Sequence, residues 1–425
     1  MNIAVIGLII MGLTIVLFVL DVLPSATVAM LGCAMMVVFH VCSIEEILYG
    51  FGGSIVLLVF GMQLFGEAIF SSGTAALIGG LAVKLSKNKE RRFLLIACIL
   101  SAVLSAFLTN TAVIIMMLAI GASVAAKSQN MKMKNLSIPI AIAAIFGGQC
   151  TLVGSTTQLT SSGILQNMSG ESFGMFSLAY VGIPATIFMI VYMVYIGYPM
   201  GKKIWGNDNT IREAATEPAQ IDLAQYDKKK VIIVSIVFVL MMIFFVTGWL
   251  DSGITAMLGG LLCVITGCVS QKEAFRKLDW NVLIWLCCCL GLGNALNVSG
   301  GSKVIGGVLL SVFSTQNSGF LMFAVMVFLS MMLSQVMSNM TTILILLPAT
   351  LSMIIPLGLN PYLFAYGINF GAALTFLTPL ASGHIGFTLT SGYRFMDYVK
   401  YGLIPSVLVY LMIIFISPLF FPLTV

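Results

Sequence analysis

The chain has 425 residues, of which 60% are hydrophobic and only 8% charged, with a mean hydropathy of +1.09. A soluble globular chain carries about 25% charged residues, so this composition excludes that class and points to a polytopic membrane protein. The net charge of +5 is no nucleic-acid footprint, because the basic residues sit in short loops between apolar runs; the nine cysteines lack a Cys-x-x-Cys pair and read as small buried hydrophobes rather than metal ligands or disulfides.

In chain order, Ile3–Leu20 is too long for a signal-peptide core and no small-residue cleavage motif follows it, so it is expected to remain as a span. Further spans are expected at Pro24–Val41 and Gly53–Phe70. The next run, Phe93–Ala126, would make roughly 51 Å of helix, far more than one crossing. Lys84, Lys87, Lys89, Arg91 and Arg92 precede it, and Lys127, Lys132 and Lys134 follow it. Both ends therefore lie on the cytoplasmic side. A re-entrant helical hairpin is predicted over 93–126, with Thr109-Asn110-Thr111 at its tip.

A span at 136–165 follows, interrupted by Gly147-Gly148-Gln149 and by Gly154-Ser155-Thr156-Thr157-Gln158, and then a span at Phe176–Pro199. The polar stretch 201–230 reads as a cytoplasmic connector, partly amphipathic helix. Beyond it come spans at Val231–Leu250, Ile254–Val269 and Asn281–Val298. A second hairpin is expected over 319–357, its tip at Ser338-Asn339-Met340-Thr341. A span at 362–391 is interrupted by Thr378-Pro379-Leu380-Ala381-Ser382-Gly383-His384, and Val399–Phe421 closes the chain.

Ten spans and two hairpins put 19 of the 20 Lys and Arg residues on the cytoplasmic side, with only Lys303 outside, and both termini outside. The halves also match at an offset of 227 residues. Ser43 and Glu46 answer to Ser270 and Glu273, Ser72-Gly73 to Ser299-Gly300, Gly66 to Gly293, and Ser155 to Ser382. Five crossings per half is an odd number, so the second copy is inverted relative to the first. The expected fold is an all-α polytopic membrane protein of two inverted-topology repeats, 1–200 and 231–425. Each holds five spans plus one re-entrant hairpin, with discontinuous helices at the midplane.

The polar residues at these breaks are the candidate site. Hydroxyls and amides at membrane depth are costly unless they line a cavity or hold a ligand. Around the first tip stand Ser105, Thr109, Asn110 and Thr111; around the second, Ser334, Ser338, Asn339, Thr341 and Thr342. Such neutral oxygens, with carbonyls freed where a helix unwinds, suit sodium, while half-helix N-termini suit an anion. An isolated Ser or Thr ordinarily returns its hydroxyl to a neighbouring carbonyl, but two Asn tips in equivalent places are hard to explain that way. His384 either bonds substrate or shuttles protons, or is satisfied by nearby backbone. Glu67, near a span end, is expected to reach the interface or pair with a polar group. No Arg or Lys lies at mid-membrane depth, so an anion must be held by amides, hydroxyls, helix dipoles and co-bound cations.

These residues resemble the divalent anion/sodium symporter (DASS) family of the ion transporter superfamily, over nearly the whole chain. That family has a Ser-Asn-Thr motif at each hairpin tip, where Thr109-Asn110-Thr111 and Ser338-Asn339-Met340 stand here. Its helix-break loops read roughly Gly-Thr-Pro-Pro-Asn and Ala-Thr-Pro-Pro-Asn, aligned with Gly154-Ser155-Thr156-Thr157-Gln158 and Ala381-Ser382-Gly383-His384-Ile385. Both Pro-Pro pairs are absent, His384 stands in place of a proline, and Met340 in place of a hydroxyl.

The resemblance implies a homodimer of scaffold and transport domains in the cell membrane. It implies elevator-type transport of a di/tricarboxylate or sulfate-like anion coupled to sodium, with no organic cofactor; some members exchange anions without sodium. Carried over, Ser105, Asn110 and Gly154 hold one sodium, and Ser334, Asn339 and Ala381 the other. Thr109, Asn110, Thr111, Ser338, Asn339 and Ser382 line the substrate site. The alternative is a sodium-independent or proton-coupled anion exchanger using His384. An intramembrane hydrolase is disfavoured, because the chain has only His40 and His384 and no mid-membrane Asp pair.

Overall fold

The structure is a computed structural model and describes residues 3–20, 23–86, 89–127, 131–205, 227–304, 307, 318–378 and 383–424. Among the described residues six helices are long and apolar enough to cross a membrane, and six shorter apolar helices stand beside them. The chain is an all-helical, multi-pass membrane protein.

The first half runs through α1 (Ile3–Leu20), α2 (Ser25–Val38), the short α3 (Ile44–Leu48), α4 (Ser54–Ser71) and α5 (Thr74–Ser86). The hairpin α6 (Glu90–Ser105) and α7 (Asn110–Lys127) follows, then α8 (Met133–Gly148) and α9 (Thr156–Ser169). α10 (Ala179–Tyr192) continues through a π turn at Met193–Gly197 into α11 (Tyr198–Trp205). The second half comprises α12 (Lys228–Thr247), α13 (Ser252–Ile265), α14 (Gln271–Arg276) and α15 (Trp280–Val298). Its hairpin is α16 (Gly319–Leu333) and α17 (Asn339–Ile354), followed by α18 (Pro361–Ala373), α19 (Gly383–Gly386) and α20 (Phe395–Phe420).

Several matches between the halves are helix-end signals. Ser43 and Glu46 form a capping box on α3, and Ser270 accepts the Glu273 N–H to cap α14. Gly73 and Gly300 adopt φ of +80° and +78° at the ends of α4 and α15, a conformation that costs glycine little. The preceding serines repeat each other as well: Ser72 Oγ donates to Ile69 O and Ser299 Oγ to Leu296 O, both at 3.0 Å.

The halves interlock. α4 packs along α13 and α2 along α15. Missing side chains permit this: a β-carbon at Gly61 would overlap the Ala256 carbonyl, and one at Gly291 would overlap Ile47 O. The helix starts are tied reciprocally. Ser54 donates to the Asp251 carboxylate that caps α13, and Asn281, the residue 227 positions on, accepts from Ala26 N at 3.1 Å.

Three elements depart from the sequence expectation. α5 fills a stretch assigned no element of its own, because Thr74–Ser86 is too short for a span. The helix from Phe176 does not stop at Pro199 but continues to Trp205, whose buried indole donates to Asn135 Oδ1 at 3.0 Å. The second broken helix ends at Ala373, ahead of the Pro379 expected to break it. Leu374 leaves the helical region with ψ of 51°, and its carbonyl is taken by the Gln335 side chain. Most of the expected connector, 206–226, lies outside the described residues.

The basic flank of the first hairpin is fastened by one carboxylate. Glu90 accepts from Lys132 N at 2.9 Å, Asn135 Nδ2 at 3.0 Å, the Tyr198 hydroxyl, and Lys202 Nζ at 3.3 Å. Burial pushes its carboxyl up, but these bonds and the lysine charge outweigh that and hold it below the usual carboxylate range. Glu67 pairs with Lys277 Nζ at 2.5 Å and accepts from Ser71 Oγ at 2.9 Å, so it is held near the end of its helix.

Candidate ion and substrate site

At the first tip, α6 ends on Ser105 and α7 begins on Asn110, and both side chains are buried. Ser105 Oγ donates to Asn110 Oδ1 at 2.5 Å. The hairpin can lie this close to α8 because α8 ends in two glycines. A β-carbon at Gly147 would overlap the backbone of Ala102, and one at Gly148 would overlap Asn110 Oδ1 and stand 3.1 Å from Gly154 O. The helix then breaks, and α9 restarts with a capping box in which Ser155 N donates to Gln158 Oε1 at 2.9 Å. Gln158 Nε2 reaches back to Gly148 O at 2.9 Å, tying the two half-helices together. Ser105, Asn110 and Gly154, expected to share a ligand, are thus gathered around Gly148.

At the second tip, Ser338 caps α17 by accepting the Thr341 N–H at 3.2 Å, and Asn339 opens the helix. Asn339 Nδ2 lies 3.5 Å from Thr375 Oγ1, while Asn339 Oδ1 is buried without a partner. Ser334 is fully buried, but its hydroxyl turns to Met331 O at 3.0 Å rather than to the amide. Ala381 and Ser382 lie outside the described residues. His384, on α19, belongs to a segment packed against α7 and α8 of the first half.

The two tips meet the opposite half. Thr156, the first residue of α9, donates its hydroxyl to Met340 Sδ at 3.7 Å. The thioether therefore takes a hydrogen bond beside the second tip, where a hydroxyl would also have offered a donor. Thr109 and Ser338 remain exposed at equivalent places on the tips, and Thr111 is half-buried.

Three polar side chains here were not singled out from sequence. Gln335 sits in the turn between α16 and α17, Gln158 bridges the first break, and Asn369 on α18 donates to Gln149 Oε1 at 3.1 Å while accepting from Ser161 Oγ at 3.3 Å. Asn369 is fully buried, and an amide in an otherwise apolar helix was the signal that would have found it.

A helical membrane chain whose interrupted helices meet hairpin tips at buried neutral oxygens has the architecture of a membrane transporter, not an enzyme. A family model described as citrate transporter matches residues 15–369, and the chain belongs to that family of transporters, in keeping with the resemblance to the DASS family. The sodium-dependent dicarboxylate transporter SdcS of Staphylococcus saprophyticus is 22% identical over 398 residues, covering 86% of this chain and 76% of that protein. An uncharacterised transporter of Synechocystis is 29% identical over 179 residues, 42% of this chain; the chain spans only 29% of that relative's length. Among solved structures, Neisseria gonorrhoeae MtrF, described with a class of antimetabolite efflux pumps, has a TM-score of 0.64 at 11% identity, covering 90% of this chain and 83% of its own. That likeness is one of fold.

Proposed function

We propose that the chain is a secondary active transporter that carries a small di/tricarboxylate or sulfate-like anion together with sodium. The observation that carries this reading is the convergence of Asn110 Oδ1, Ser105 Oγ and the Gly148 and Gly154 carbonyls at one break. All four are neutral hard oxygens, the ligand type an alkali cation takes when it sheds water. Sodium is cargo here, and it also supplies the positive charge that no Arg or Lys provides at this depth. The anion then sits between the N-termini of α7 and α17, within reach of the exposed Thr109 and Ser338 hydroxyls. The relative named as a sodium-dependent dicarboxylate transporter and the citrate transporter family support this substrate class.

Helix bounds that recur 227 to 229 residues apart support two inverted repeats, each of five spans and a re-entrant hairpin. We take residues 1–200 and 231–425 as those repeats, in a cell-membrane homodimer with both termini outside. Alternating access is then an elevator-type movement of the hairpins and broken helices against the interlocked α2, α4, α13 and α15.

Uptake of radiolabelled citrate, succinate and sulfate into proteoliposomes tests the reading. One of these anions should accumulate under an inward sodium gradient and not under a potassium gradient; no anion flux in either condition overturns it. A second reading, a sodium-independent or proton-coupled exchanger, rests on His384 within the second break. It predicts counterflow in sodium-free buffer that changes with pH and is altered in His384→Gln.

A further inference from the structure

The two tips share a backbone contact but differ in one side chain. Thr151 Oγ1 donates to Ala106 O in the first half, and Thr378 Oγ1, 227 residues on, donates to Gln335 O at 3.0 Å in the second. Ala106 and Gln335 therefore hold the same place in their turns, and only the second carries an amide. That amide is oriented by its surroundings. Gln335 Nε2 donates to two carbonyls, Met331 O at 3.1 Å and Leu374 O, so the amide oxygen must face the other way. Gln335 Oε1 is buried and has no partner.

It has company. Asn339 Oδ1 and Thr342 Oγ1 are also buried and unpaired. Asn339 and Thr342 share a face of α17 at a spacing of three residues. The two amides dock on adjacent residues of the second break, Gln335 on Leu374 and Asn339 on Thr375. An amide oxygen only accepts hydrogen bonds, so two of them unsatisfied in one turn repel an anion and want a cation or a strong donor. In the first half the matching oxygen, Asn110 Oδ1, is already bonded by Ser105.

We infer that Gln335 Oε1 is a ligand of the coupling cation at the second tip, beside Asn339 Oδ1. The second site then uses a pair of side-chain amides where the first uses one amide with main-chain carbonyls. Gln335 thereby performs two tasks: its nitrogen caps the broken helix at Leu374, as Gln158 does at Gly148 in the first half, and its oxygen binds the ion. This inference rests on the sodium-coupled reading above.

The test is a thermal-stability titration of the purified full chain with NaCl against choline chloride at constant ionic strength, without anion. In Gln335→Met the sodium concentration for half-maximal stabilisation should rise about tenfold, the loss of roughly one hydrogen-bond-sized contact to a charge. Gln335→Glu restores an acceptor and adds a negative charge, so its half-saturation should fall below that of the wild type at neutral pH and rise as the carboxylate is protonated. A purely structural cap would lower the midpoint in choline and leave both half-saturations unchanged. That result, or a pH-independent Gln335→Glu titration if the methionine variant does not fold, overturns the inference alone. A wild type that responds to no alkali cation overturns this inference and the sodium reading together.

Discussion

The β-carbon that Gly148 lacks would fall on the amide oxygen of Asn110. The end of one broken helix and the start of a hairpin arm thus share a space that admits no side chain. In Gly148→Ala the added methyl group must displace Asn110 from Ser105 and Gly154, so sodium-dependent stabilisation and uptake should both be lost. Gly12→Ala, on α1 with nothing within 4 Å, is the control and should leave both intact. Retained sodium dependence in Gly148→Ala would show that the ion is held elsewhere.

Met340 accepts from Thr156 but has nothing to donate. Met340→Thr places a donor at the second tip, and one bond to a carboxylate contributes about 1.5–3 kcal/mol. The KM for dicarboxylate uptake should fall by about tenfold or more, with kcat changed much less. An unchanged KM would place the anion away from this residue.

Glu90 gathers donors from the starts of α6 and α8 and from α11. Its folded carboxyl lies below the ordinary value of 4.5. Its contribution to stability is therefore complete above about that pH and is lost as pH falls through the lower, folded value. Glu90→Ala strands buried donors and should cost about 3 kcal/mol at pH 7. In melts of both proteins from pH 7 downward, the difference should stay constant to about pH 5 and then shrink. A difference that grows on acidification would contradict the assignment.

The tips are also unequal in their packing. Phe107 of the first tip meets Phe238 edge-on at 5.0 Å, and Leu108 lies 3.4 Å from the β-carbon position of Gly66. At the second tip Val336 is 78% exposed, and Gly293, the repeat partner of Gly66, faces open space. If the halves exchange roles during transport, the second tip comes to rest over Gly293. Gly293→Phe should then slow uptake strongly while leaving sodium-dependent stabilisation unchanged. Uptake at the wild-type rate would separate the movement from this glycine.

Much of this was legible in the sequence, for identifiable physical reasons. The hairpin arms follow from runs too long for one crossing, and the repeat is visible because Ser43, Ser270, Gly73 and Gly300 end helices, a local task with few suitable residues. Asn110 and Asn339 stand out because amides are costly in an apolar run. What escaped depends on tertiary partners. Nothing local ends α18 at Ala373 ahead of Pro379; the Gln335 amide that takes the Leu374 carbonyl comes from another helix turn. Gln158 read as part of a break, and only the fold shows it joining the two sides.

Sodium coupling is measured most directly as the influx of radiolabelled sodium into proteoliposomes driven by an external dicarboxylate. Wild-type protein should take up sodium in proportion to the anion, and Asn110→Ala should take up neither. Anion accumulation with no accompanying sodium would contradict the account.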